Sequence, residues 1–284
     1  MTPTPVTDAP LAHLRWGDGD TAVVMLHGVG GGCGAWSDDT GDTGAVVAGA
    51  GYLAVAPDLP GYGASPPIEP YDMAGLADAV AALLAWLHGR HHVRRTVLVG
   101  HSMGGMVAQE LVATWPAGMP ALVQALVLSG TSPAFGKPGG DWQQRFLAER
   151  LAPLDAGRGM AALAPALARG MAAPDADPAR VARCAAVMAR VPEATYRAAL
   201  RAIVGFDRRA DLARIAVPTL LIAGEHDRNA APAVMQRMAK AIPGAEYVCL
   251  GGVGHLAAME APAPFHAALL DFLRRHVPVA AAHS

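Results

Sequence analysis

The chain has 284 residues, of which 52% are hydrophobic and 16% charged. That is enough apolar material for one large core, or a core carrying an inserted subdomain, and it excludes an intrinsically disordered chain. A formal net charge of -2 gives no electrostatic reason to expect nucleic acid or an anionic membrane surface as a partner.

The three cysteines, Cys33, Cys184 and Cys249, form no Cys-x-x-Cys pair. So sparse and odd a count fits a reducing compartment and speaks against a disulfide framework or a zinc site. Residues 1–20 hold prolines and aspartates and no continuous apolar run. No window approaches the ~18 apolar residues of a membrane span, so a cytoplasmic protein without a signal peptide is expected.

In chain order, Leu11 to Trp16 and Thr21 to Leu26 read as strands, joined by Gly17-Asp18-Gly19-Asp20 into an expected hairpin. The second strand runs into His27-Gly28-Val29-Gly30-Gly31-Gly32, a loop with almost no side chains, where backbone N–H groups can approach a ligand closely. A dinucleotide fingerprint fails at Cys33, where the third glycine should stand, although a shifted reading through Gly30, Gly32 and Asp58 keeps that alternative open. Asp38-Asp39-Thr40-Gly41-Asp42 looks like a fragment of a calcium loop, but its downstream Glu is missing, so a solvated turn and helix start is expected.

Tyr52 to Asp58 reads as a buried strand, Tyr71 to Leu87 as a helix, and Ala125 to Ser129 as a further core strand. From Thr131 to Arg209 no strand is evident, only helical stretches separated by Pro133, Pro138, Pro153, Pro165, Pro174, Pro178 and Pro192. Strand and helix then alternate again: Thr219 to Gly224, Ala233 to Ile242, Glu246 to Leu250, and a closing helix from Pro264 to His276, with a frayed tail from Val277. The expected fold is an α/β, doubly wound, mostly parallel sheet, with residues 1–130 and 210–284 as its core and 131–209 as an inserted helical cap. That insertion carries twelve basic and seven acidic residues, so arginines there either solvate outer helix faces or hold an anionic substrate.

The most informative stretch is Gly100-His101-Ser102-Met103-Gly104, which follows the apolar run Val97 to Val99 and precedes a helical segment stopped by Pro116. Strand, sharp turn and helix is the setting of a Gly-x-Ser-x-Gly nucleophile elbow. A serine hydroxyl needs an imidazole within reach and a carboxylate to orient that imidazole. His255 follows Gly251-Gly252-Val253-Gly254 at the end of the last strand, and Asp227 closes Leu220 to Asp227 at a strand's carboxyl end. Glu225 and Asp211 are weaker rivals for the acid, and Ser129-Gly130-Thr131 offers none. His27 and His101 read as structural groups bonded to loop backbone; His88, His91, His92, His266, His276 and His283 read as solvated histidines at helix ends or in the tail.

On His27-Gly28, Asp58-Leu59-Pro60-Gly61-Tyr62-Gly63, Gly100 to Gly104, Gly224 to Asp227 and Gly254-His255, the chain resembles the α/β-hydrolase family along nearly its whole length. Ser129 to Ser132, Trp142 with Arg145, and Phe206 to Thr219 make it most similar to the β-ketoadipate enol-lactonase-like and capped-esterase branch. The resemblance implies a serine hydrolase that cleaves a small-molecule ester or lactone, without metal or organic cofactor. Ser102 would be the nucleophile, His255 the base, Asp227 its partner, and the N–H groups of Val29 and Met103 the oxyanion hole. Trp142 and Arg145 would contact substrate, Met103 would border the pocket, and Met106 would belong to the core. Carbon-carbon bond hydrolases and perhydrolases use the same triad, whereas dehalogenases and epoxide hydrolases of this fold carry an aspartate at the position of Ser102. A non-catalytic ligand receptor on the same scaffold is the alternative from another class.

Overall fold

The computed structural model describes residues 1–37, 41–114, 122–136 and 140–279. Its centre is an eight-stranded sheet whose order is β1 (Thr4–Val6), β2 (His13–Trp16), β4 (Leu53–Pro57), β3 (Thr21–Leu26), β5 (Arg95–His101), β6 (Val123–Ser129), β7 (Thr219–Gly224) and β8 (Glu246–Leu250). β1 and β2 run antiparallel to their neighbours; all other pairs are parallel.

The central strands are apolar on both faces because both faces are covered. Along β3, Ala22, Val24 and Leu26 enter one core cluster while Val23 and Met25 enter another. On the first face pack α2 (Met73–Arg90) and α3 (Met103–Thr114), which contribute Leu83 and Val107; on the second pack α1 (Thr43–Gly49) and α10 (Pro262–His276), which contribute Val47 and Phe272. Asp42 caps α1, its carboxylate accepting from the Ala45 N–H at 2.8 Å, which agrees with a helix start there; Asp38 to Thr40 lie outside the described residues, as does Pro116.

The expected hairpin is not formed. β4 lies between β2 and β3, and the Gly17–Asp20 connection passes over the beginning of β4. A side chain on Gly19 would stand 2.6 Å from the Gly51 carbonyl oxygen, and one on Gly17 3.0 Å from that of Tyr52. The glycines serve this backbone crossing, and β3 is left free to take a parallel partner on each side. β1 carries no readable signal in the sequence either, since two exposed residues and one half-buried one around a proline have no periodicity.

Between β6 and β7 stand four helices, α4 (Asp141–Asp155), α5 (Met160–Met171), α6 (Pro178–Met188) and α7 (Glu193–Val204). Their two stems run side by side: Ala134 bridges Asp207, the Phe135 N–H donates to Phe206 O at 3.0 Å, and the Arg208 N–H donates to Pro133 O at 2.7 Å. Arg208 also pairs with Glu110 of α3, which fixes the base of the insertion to the helix behind Ser102. Pro153 and Pro165 do not end helices as expected but sit inside α4 and α5. The carbonyls they deprive of a donor belong to Glu149 and Ala161, both exposed, so water can satisfy them. α8 (Pro232–Ala241) and the single turn α9 (Ala257–Glu260) complete the fold. Val277 is not frayed: it is buried and its carbonyl accepts from the Tyr52 hydroxyl at 3.0 Å. No helix among the described residues is long and apolar enough to cross a membrane.

Candidate active site

Ser102 occupies the turn between β5 and α3 with φ +52°, a left-handed conformation that costs energy for any residue with a side chain. The turn is held from both sides: the Ser102 N–H donates to Ser129 O at 2.9 Å, and the Thr131 hydroxyl donates to Ser102 O at 2.8 Å. A side chain on Gly104 would collide with the backbone of Leu26 and His27, so glycine there lets α3 start directly against the end of β3.

Ser102 Oγ lies 3.0 Å from His255 Nε2, and His255 Nδ1 lies 2.8 Å from Asp227 Oδ2. The other carboxylate oxygen of Asp227 accepts from the N–H groups of Asn229 and Ala230, at 2.7 and 2.9 Å. Burial opposes ionisation of Asp227, but His255 and these hydrogen bonds outweigh it and hold the carboxyl below its ordinary value. The rivals are engaged elsewhere: Glu225 accepts from the Gly252 N–H, and Asp211 pairs with Arg208 and Arg214.

His255 is positioned from two sides. Its N–H donates to Met171 O at the end of α5, at 2.8 Å. The Glu260 carboxylate accepts from the flanking N–H groups of Gly254 and Leu256 and from Ala173, at 3.0, 2.9 and 2.9 Å. His101 packs 4.9 Å from the His255 ring, and desolvation together with that neighbour pushes it down to about 3, so it stays neutral. His27 is fully buried, shares a hydrogen bond with Gly28 O at 2.8 Å and accepts from the Leu59 N–H at 3.0 Å, a backbone-fastening arrangement. Neither periodicity nor motif spacing points to these roles: Thr131 acts through one hydrogen bond to the distant Ser102 carbonyl, and Glu260 gathers three backbone N–H groups that only folding brings together.

The loop after β3 is fastened rather than open. Tyr62 donates to Val29 O at 2.9 Å, and Asp58 accepts from the Cys33 N–H at 2.7 Å. Asp58 is thereby spent on the loop, and the loop closes into a short 3-10 turn at Cys33–Ala35 instead of opening a dinucleotide-binding helix. Among the described residues, no acceptor meets the backbone N–H of Val29 or of Met103. The Met103 side chain is buried in the core, which corrects its expected place at the pocket; Met106 is also core.

Ser102, His255 and Val29 line one cavity of about 280 Å³, enclosed by α4 to α7 and lined mostly by apolar side chains. Trp142 reaches its edge, 52% exposed and stacked on Phe146 with ring centroids 5.8 Å apart. Arg145 is not part of it. It is exposed, about 100° around α4 from Phe146, and the helix stripe that meets the cavity is Trp142, Phe146 and Arg150. No group of three or more potential metal ligands occurs among the described residues.

A profile of the alpha/beta hydrolase family matches residues 23–268. A putative carbamate hydrolase, RutD of Variovorax paradoxus, is 33% identical over 274 residues, covering 94% of this chain and 97% of the relative. The polyketide synthase ThaQ of Burkholderia thailandensis is 31% identical over 221 residues, 75% of this chain, although the match spans only 10% of the synthase. Among solved structures, the enol-lactonase from Burkholderia xenovorans LB400 aligns with a TM-score of 0.78 at 25% identity, over 95% of this chain and 99% of that one. With the family profile running from β3 into α10, through Ser102, Asp227 and His255, the chain belongs to the alpha/beta hydrolase family.

Proposed function

We propose that the protein is a serine hydrolase that cleaves a carboxylic ester or lactone through an acyl-enzyme on Ser102. The observation that carries this reading is the unbroken relay from Ser102 Oγ to His255 Nε2 and from His255 Nδ1 to Asp227, at the wall of an apolar cavity. The similarity to an enol-lactonase and to a carbamate hydrolase supports a carbonyl centre as the point of attack.

In this mechanism His255 takes the Ser102 proton as Oγ adds to the carbonyl carbon. The resulting oxyanion lies between the N–H groups of Val29 and Met103, the latter at the positive end of α3. Collapse breaks the bond to the leaving oxygen, which receives its proton from His255; water then attacks the acyl group by the same route and frees Ser102. The neutral state of His101 matters here, since a second imidazolium 4.9 Å away would oppose the charge that His255 acquires. The sparse, odd count of three cysteines supports a cytoplasmic setting, and the apolar cavity supports a small-molecule substrate.

Ser102→Ala should retain its circular dichroism and melting behaviour, lose labelling by a fluorophosphonate probe, and lose ester turnover by a factor on the order of 10⁴ or more. Wild-type turnover in that variant would end the proposal. Failure of the wild-type protein to take the label would favour a ligand receptor. A substrate panel of esters, lactones, a carbamate and a vinylogous diketone separates the chemistries, since preferential cleavage of the diketone would mean carbon-carbon hydrolysis.

A further inference from the structure

The arginines of α4 to α7 differ sharply in their surroundings. Arg145, Arg158, Arg190 and Arg201 are exposed to solvent. The half-buried Arg180, Arg183 and Arg197 each reach an oxygen acceptor: Arg180 bonds Met259 O, Arg183 bonds Ser37 O, and Arg197 pairs with Asp155 and Glu193. Arg150 is half-buried as well, yet among the described residues it has no carboxylate or carbonyl partner. It lies over the ring of Phe146, 5.5 Å from the centroid, close enough to Tyr196 for its charge to act on the phenol. Both Arg150 and Tyr196 line the cavity that contains Ser102.

A half-buried guanidinium facing apolar walls is a costly arrangement unless an anion completes it. The aromatic face and the phenol lower that cost without neutralising the charge, and they leave donors of the guanidinium fork free for a planar acceptor. Tyr196 is itself buried, which raises its phenol above the ordinary value, so its hydroxyl can serve as a second donor to the same acceptor. The rest of the cavity they share with Ser102 is mostly apolar, with Phe146, Met188 and Leu200 in its walls. Arg228 also borders the cavity but is exposed, in the loop after β7, where water screens it.

We infer that Arg150 and Tyr196 form a carboxylate-binding subsite, and that the substrate is an ester or lactone whose apolar body carries a carboxylate remote from the scissile carbonyl. This rests on the hydrolase reading above for the reacting end, but the subsite itself is a statement about binding. An anion held there fixes the apolar chain across the cavity and brings the carbonyl to Ser102; a neutral ester of equal length gains only the apolar contacts.

The test compares methyl alkanoates with monomethyl esters of the corresponding dicarboxylic acids, across chain lengths of roughly four to ten carbons. Wild-type kcat/KM should favour the carboxylated member by about tenfold or more at one or two adjacent lengths, through KM. Arg150→Gln should abolish that preference, so that the two series are cleaved with equal kcat/KM by the variant, Arg150→Lys should keep part of it, and Arg228→Gln should keep it all. Melting temperatures verify that each variant is folded. Equal rates for both series at every length, or a preference that survives Arg150→Gln, would overturn the inference. The same esters titrated calorimetrically into Ser102→Ala decide the subsite even if no ester is turned over: a carboxylate preference that depends on Arg150 supports it, and none refutes it.

Discussion

Gly130 shows how little room the reacting groups leave. It has φ +51°, and a side chain there would stand 3.1 Å from His255 O, 3.2 Å from His255 Nδ1 and 3.3 Å from Asp227 Oδ2. Gly130→Ala should therefore lower kcat about tenfold with little change in KM, and cost about 1–2 kcal/mol of stability from the left-handed backbone. Steady-state kinetics and a urea titration measure the two effects; an unchanged kcat would show that the His255–Asp227 pair tolerates displacement. At this scale the sequence was informative wherever a side chain stands at the end of an apolar strand beside glycine, as Ser102, Asp227 and His255 do. It was misleading on α4, because choosing between Arg145 and Arg150 requires knowing which stripe of the helix meets the cavity.

Among elements, the junction of α5, the His255 loop and α9 is the most heavily bonded part of the site. One carboxylate, Glu260, serves three backbone donors drawn from the helical insertion and from both sides of His255. Glu260→Ala leaves those donors without their acceptor, so stability should fall by roughly 2–4 kcal/mol and kcat should fall with it as His255 loses its alignment. Glu260→Gln should restore only part of either, since an amide offers one acceptor oxygen and turns an NH₂ toward donors. Denaturation curves and fluorophosphonate labelling rates for both variants check this; a labelling rate equal to wild type would limit Glu260 to a structural part. Element pairing was less legible than element position. β2 and β3 are neighbours in the chain and each reads as a strand, yet the strand that separates them, β4, comes 27 residues after β3 ends, and only the glycine crossing over it records the fact.

The whole molecule carries several imidazoles that folding keeps neutral. His13, His27, His101 and His266 all lie below the ordinary histidine value, each chiefly because burial removes water from the ring. The sequence suggests a solvated helix end for His266, but the ring is buried within α10 and hydrogen-bonded to Thr43 at 2.9 Å. Below about pH 6.5 the unfolded chain takes up protons that the folded chain refuses. The stability these groups contribute is therefore complete above that pH, and it is lost as the pH falls toward the folded-state values, about 3 for His101. Each such histidine steepens the loss by about 1.4 kcal/mol per pH unit within its window. Urea midpoints between pH 7.5 and 5 should decline on acidification, and a flat profile would mean that these rings accept protons without unfolding. Composition had already excluded disorder and a basic nucleic-acid binder, but burial of individual histidines depends on packing that no local pattern encodes.

The division of charge noted in the sequence acquires a direction once the helices are in place. Residues 131–209 carry five more basic than acidic groups, while the rest of the chain carries seven more acidic than basic ones. α4 to α7, which line the cavity, hold seven arginines against four carboxylates, so the face they form over Ser102 carries a net positive charge. An anion diffusing within a Debye length, about 10 Å at 0.1 M salt, is drawn toward that face and turned before it makes contact, whereas a neutral ester arrives unguided. Dilute buffer thus raises the rate at which anionic molecules are captured without altering what happens to them afterwards.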